Sequence, residues 1–133
     1  MKINFDKLKK LDFRSNEAYK TLRTNISFCG DDIKVIAVTS STPNEGKSVV
    51  SLRVAQAFGE DEKKILYIDA DIRKSVLVSR YGADNEAKGL SHYLAGKEKM
   101  EDVICETNIK NVDMIFTGPV APNPSELLGN SKF

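Results

Sequence analysis

The stretch Ile33-Lys-Val-Ile-Ala-Val-Thr-Ser-Ser-Thr-Pro-Asn-Glu-Gly-Lys-Ser48 decides how the chain is read. Its first part is short, apolar and β-branched, the composition of a buried strand. A turn of Ser, Thr, Pro, Asn and Gly follows. From Lys47 onward, Val50, Leu52, Val54, Ala55, Ala57 and Phe58 suit a largely buried helix that Gly59 ends. Strand, turn and helix together frame the pattern G-x-x-x-x-G-K-[ST], with Ser41 in place of the first glycine and Gly46, Lys47 and Ser48 matching. Each residue type has a chemical reason. Backbone N–H groups from about Asn44 to Ser48 would form an anion nest at a helix N-terminus. Gly46 lets the backbone approach a phosphate with no Cβ in the way. Lys47 brings a cation to the β- and γ-phosphates, and the Ser48 hydroxyl is placed to ligate Mg²⁺. Thr42, Pro43, Asn44, Glu45, Gly46, Lys47 and Ser48 are thus expected to hold Mg·ATP. A bare Gly-Lys-Ser is often only a turn, and the flanking strand and helix are what favour the functional reading.

The next apolar run, Ile65-Leu-Tyr-Ile68, reads as a second buried strand and ends abruptly at Asp69-Ala-Asp71. In parallel sheets, ligands sit beyond the carboxyl ends of the strands, where both the loop and Asp69 emerge. Asp69 and Asp71 could face one site there. Either could serve Mg²⁺, directly or through water, or act as the base for a hydroxyl attacking the γ-phosphate. A solvated turn with an N-capping Asp is the ordinary alternative, and beside a phosphate loop it loses.

Farther out, Ser15 is expected to cap a helix over about 16–28, stopped by Gly30. Residues 77–81, 90–94 and 100–105 read as short helical pieces, 112–116 as a third strand, and Ser125 as the cap of a last helix. Strands alternating with helices imply βαβ units, hence an α/β fold with a phosphate-loop NTPase-like parallel sheet flanked by helices. A parallel sheet needs several strands, so three read as the first part of a domain cut short at its C-terminal side. The expected organisation is an N-terminal tail at 1–14 and an incomplete phosphate-loop domain at 15–133.

At 133 residues the chain is one domain or part of one, and a net charge of +1 excludes an overall basic surface for nucleic acid. The basic residues near the N-terminus are interrupted by Asp6 and Asp12 and read as a solvated tail. Cys29 and Cys105 lack CxxC spacing and His92 is the lone histidine, which argues against zinc and fits a reducing cytosol. No apolar run approaches the ~20 residues of a membrane span. The sequence therefore reads as cytoplasmic.

Asp69-Ala-Asp71-Ile-Arg73 matches the Walker A′ motif, and with Pro-Asn-Glu-Gly-Lys-Ser48 it resembles the bacterial tyrosine kinases of capsular and extracellular polysaccharide synthesis. Three more segments agree. Glu17-Ala-Tyr-Lys-Thr-Leu-Arg23 is similar to the family's E-x-x-R-x-x-R assembly helix. Gly89-Leu-Ser-His-Tyr-Leu-Ala-Gly96 resembles its G-L-S-x-Y-L-x-G segment, and Gly118-Pro-Val-Ala-Pro-Asn-Pro-Ser-Glu-Leu-Leu128 its P-P-N-P-S-E-L-L loop and helix. The resemblance runs from about Asn16 to the last residue. It implies an ATP- and Mg²⁺-dependent tyrosine autokinase, with Lys47 and Ser48 on phosphate and metal and Asp69 and Asp71 as base or metal-side acids. It also implies a ring-type homo-oligomer with Glu17, Lys20 and Arg23 at the interface. A membrane-bound activator of the polysaccharide co-polymerase type would recruit the chain to the inner face of the membrane.

Departures temper this. Lys20 replaces an arginine and loses a bidentate donor, which would weaken assembly. Asn44 stands where the family mostly has glycine, and Arg53 and Ser75 where Asn and Pro are expected. No Walker B strand or tyrosine tail follows, and Tyr19, Tyr67, Tyr81 and Tyr93 all sit within expected structure, Tyr67 and Tyr93 as packing residues. Two alternatives therefore stand beside the kinase. One is a partitioning-type ATPase switch, disfavoured by Thr42 where that group carries an extra lysine. The other is an inactive fragment, which would expose a sheet edge and an apolar face.

Overall fold

The computed structural model describes residues 2–5, 7–42, 46–72, 77, 88–119 and 122–133. Four strands form one sheet in the order β1-β3-β4-β2: β1 is Lys2–Ile3, β2 Ile65–Ile68, β3 Ile104–Thr107 and β4 Val112–Ile115. β2 lies parallel to β4, Ile65 opposite Val112 and Ile68 opposite Ile115. The α/β class stands, but the sheet is mixed. β3 and β4 run antiparallel because residues 108–111 are too few for a crossover and close a hairpin, with Asn111 at φ 59°. The helical piece expected over 100–105 divides at this point. Met100–Val103 is helical, and the alternating Ile104-Cys-Glu-Thr107 is β3.

Helices pack against both faces of the sheet, on the second face around Ile115 but not over Leu66 and Ile68 of β2. On one, α2 (Lys47–Glu60) packs Leu52 against Val112, Met114 and Phe116. On the other, α3 (Leu90–Leu94), α4 (Met100–Val103) and α5 (Pro124–Leu128) bring Leu90, Leu94, Val103 and Leu127 onto Ile115 and Ile72. Pro124 occupies the first turn of α5 with Asn123 as its N-cap, so the helix starts before the expected Ser125. Cys105 is buried, and desolvation raises its thiol pKa, as for an inert packing thiol.

The first residues are no solvated tail. Ile3 and Phe5 are buried in the core, and the Phe5 N–H donates to Asn108 Oδ1 at 2.8 Å. Their i, i+2 spacing with Asn4 between them suits an edge strand beside β3. The helix that follows, α1 (Phe13–Ser27), begins earlier than Ser15. Asp12 is its N-cap, accepting the Ser15 N–H at 2.7 Å.

The largest difference concerns residues 33–39. They hold the expected apolar pattern but lie outside the sheet, exposed throughout, Val35 at 87%. Hydrophobicity alone does not make a strand, because its N–H and C=O groups need a neighbour. Among the described residues no strand pairs with them, and Leu66 and Ile68 on β2 are also exposed.

Candidate functional site

The site lies where α2 starts and β2 ends. Gly46 caps α2 in the left-handed region at φ 80°, and a Cβ there would meet nothing within 4 Å. Glycine is thus required for its backbone freedom and not for room beside another protein group. Among the described residues the helix ladder begins with Val50 N–H donating to Gly46 O at 2.9 Å, which puts the N–H groups of Lys47, Ser48 and Val49 in the first turn of α2. With the helix dipole they present partial positive charge at this end.

The carboxylates come from the other side. Asp69 continues from β2 and its N–H donates to Ile115 O at 2.9 Å. Asp69 is buried, and its Oδ1 accepts the Asp71 N–H at 3.1 Å, which turns the chain back on itself. Asp71 Oδ2 then lies 3.6 Å from Lys47 Nζ, each side chain about one-third exposed. Two motifs apart in sequence are thereby brought to one place. Beneath them, Ser51 Oγ and Tyr67 OH are 2.8 Å apart and tie α2 to β2, which agrees with Tyr67 as a packing residue. Ser40 Oγ donates to Thr42 O on the approach to the loop, while Pro43, Asn44, Glu45 and Ser75 lie outside the described residues.

The residues suit Mg²⁺ only together with a ligand. Among the described residues no group of three or more His, Cys, Asp or Glu could hold a metal ion. Mg²⁺ on phosphates needs just one or two carboxylates and keeps several waters, so the Asp69–Asp71 pair and the Ser48 hydroxyl fit that use.

Other expected residues fall elsewhere. Glu17 and Lys20 form an exposed ion pair at 3.4 Å on α1. Arg23 turns inward, and its Nη1 donates to Ala57 O at 2.7 Å near the C-terminal end of α2. His92 has a structural task, as Nδ1 accepts the Gly89 N–H at 3.0 Å at the start of α3. Gly89 presses against Gly118 so closely that a Cβ would overlap its backbone. Arg53 had stood out only as an unexpected residue. It is buried, donating to Lys9 O and Gln56 Oε1, and so links α2 to the N-terminal segment. No local signal points to that contact, because Lys9 is remote in sequence.

With this geometry in view, the comparisons are specific. An AAA domain family model matches residues 33–122, and the chain belongs to that family. Within it, the chain is similar to tyrosine-protein kinases. It is 39% identical over 127 residues to CpsD of Streptococcus pneumoniae serotype 4, covering 94% of this chain and 56% of that protein. It is 39% identical over 118 residues to YwqD of Bacillus subtilis, covering 87% of this chain and 49% of that protein. The solved kinase domain of the Escherichia coli tyrosine kinase ETK superposes with a TM-score of 0.81 at 34% identity, over 94% of this chain and 52% of that one. The BceF tyrosine kinase domain does so with 0.79 at 36% identity, over 89% and 47%. The resemblance to bacterial tyrosine kinases read from the motifs is thus borne out, and the chain spans about half the length of these relatives.

Proposed function

We propose that the chain is the nucleotide-binding part of an ATP- and Mg²⁺-dependent protein tyrosine kinase serving capsular or extracellular polysaccharide synthesis. The observation that carries this reading is Lys47 Nζ beside Asp71 Oδ2 at the amide-rich start of α2. Such a site needs donors for phosphate and a carboxylate close to them, held by different elements so that a ligand bridges both. Lys47 and the first-turn N–H groups bind phosphate. Ser48, Asp69 and Asp71 hold the metal, which when bound neutralises charge on the phosphates. Asp69, the more buried acid, takes the proton of the attacking tyrosine hydroxyl. The loop residues 42–48 cradle the nucleotide.

In this reading the phosphate-loop domain takes in the N-terminal residues as well, since β1 lies in the sheet and Phe5 in the core. The relatives' names support the tyrosine acceptor, and the resemblance supports a homo-oligomeric ring through α1 and a membrane-bound polysaccharide co-polymerase-type activator. Cytoplasmic placement follows from that partnership; no helix among the described residues is long and apolar enough to cross a membrane. A second reading, a fragment without turnover, is favoured by the exposed residues 33–39 outside the sheet. Calorimetry with Mg·ATP, together with transfer of labelled γ-phosphate to a tyrosine peptide, separates the two. Binding and transfer, both lost in Lys47→Met, support the kinase; binding alone supports the fragment; absence of binding refutes both.

A further inference from the structure

The Lys47–Asp71 pair does more than mark a site. Lys47 is the first residue of α2, whose start is fixed by the Val50–Gly46 bond and whose body is anchored by Leu52 in the core. Asp71 is held by its N–H bond to Asp69, itself tied to Ile115 on β4. Neither backbone is free to carry its charge away, so the two side chains are held within reach of one another, 3.6 Å apart.

We infer that Asp71 is a specificity residue that makes this site take metal-bound nucleotide and refuse the metal-free form. A nucleotide arriving without a divalent cation must separate Lys47 from its counter-ion and leave the Asp71 carboxylate facing phosphate oxygens of like charge. Metal-bound nucleotide brings an anion for Lys47 and a cation for Asp71 together, and the ion pair is exchanged for two new ones. The inference rests on the nucleotide-binding reading above and adds a direction to it. Asp71 opposes the bare ligand, so removing its charge improves one binding mode while sparing or weakening the other. A carboxylate present only to hold metal would leave metal-free binding unchanged when neutralised.

Calorimetry of the whole chain with ATP, in Mg²⁺ and in EDTA, tests this for the wild type, Asp71→Asn and Asp71→Ser, with circular dichroism confirming the fold. The wild type is expected to bind Mg·ATP at least tenfold tighter than ATP in EDTA. Either variant is expected to bind ATP in EDTA about tenfold tighter than the wild type does, the scale of one partly exposed ion pair plus a like-charge approach. An unchanged or weaker metal-free affinity in a folded variant overturns the inference. Binding of neither form by the wild type overturns the nucleotide reading itself. If neither variant folds, acetylation of wild-type Lys47, read by mass spectrometry, decides. At equal total ATP, the nucleotide should shield Lys47 from acetylation far better in Mg²⁺ than in EDTA, and equal shielding overturns the inference.

Discussion

Two apolar runs of similar composition, residues 33–39 and 65–68, flank α2 and meet opposite fates. β2 finds β4, places Ile65 and Tyr67 against the core, and delivers Asp69 to the site on a fixed backbone. Residues 33–39 enter the loop from outside the sheet, with Ile33, Val35, Ile36 and Val38 all exposed. The carboxylate half of the site is therefore rooted in a sheet, while the lysine half is rooted through α2. A strand is a relation between segments and not a property of one, and the difference between the two runs is their neighbours.

The strongest way to break this comparison is to truncate matching apolar residues on either side of it. Leu52→Ala, in the α2 core, is expected to cost about 2–5 kcal/mol in denaturant titration. Val35→Ala is expected to fall within about 0.5 kcal/mol of the wild type, as for a surface change. Equal losses would mean that residues 33–39 are packed after all. Gly89→Ala should come next, losing about 1–3 kcal/mol because its methyl group meets the Gly118 backbone.

Ser51→Ala sharpens the contrast on the sheet side. Loss of the bond to Tyr67 is expected to cost about 1 kcal/mol in denaturant titration. Hydrogen exchange offers a direct map. Amides of 65–68 and 112–115 should be protected, and those of 33–39 should exchange at close to free-chain rates. Protection across 33–39 would show pairing that the sheet order lacks.

The smallest effect is on α1. The Ser15 N–H bond holds the Asp12 carboxyl below its ordinary pKa, so its stabilising contribution is full above the unfolded-state value of ~3.9. That contribution is lost as pH falls through the lowered folded value. Exchange at Ser15 and its neighbours should accelerate in that acid range, and Asp12→Ala should remove the pH dependence.

Much of this was legible in the sequence. α2, β2 and β4 follow from local patterns, as does the placement of Asp69 at the end of a strand. Lys47 and Asp71 were each named, but their 3.6 Å approach depends on how α2 crosses β2. The Ile3–Phe5 alternation was present and outweighed by the surrounding lysines. β3 was hidden because Met100 to Cys105 suits a helix until Asp113 and Met114 arrive to pair with it. The resemblance places Arg23 at a subunit interface, and no local pattern reveals that its guanidinium turns in to Ala57 O on α2.

That inward turn has a mechanical consequence. Near its C-terminal end α2 is held at several points: Arg23 reaches Ala57 O, Asn111 Nδ2 donates to Gly59 O at 3.0 Å, and Gly59 abuts the backbone of Lys110. Its other end, about 20 Å away at 1.5 Å per residue, carries Gly46 and Lys47. Between the two, Ser51 is bonded to Tyr67 and Leu52 is sunk in the core, so α2 is braced along its length and behaves as a strut: α1 and the loop sit at opposite ends of one stiff element.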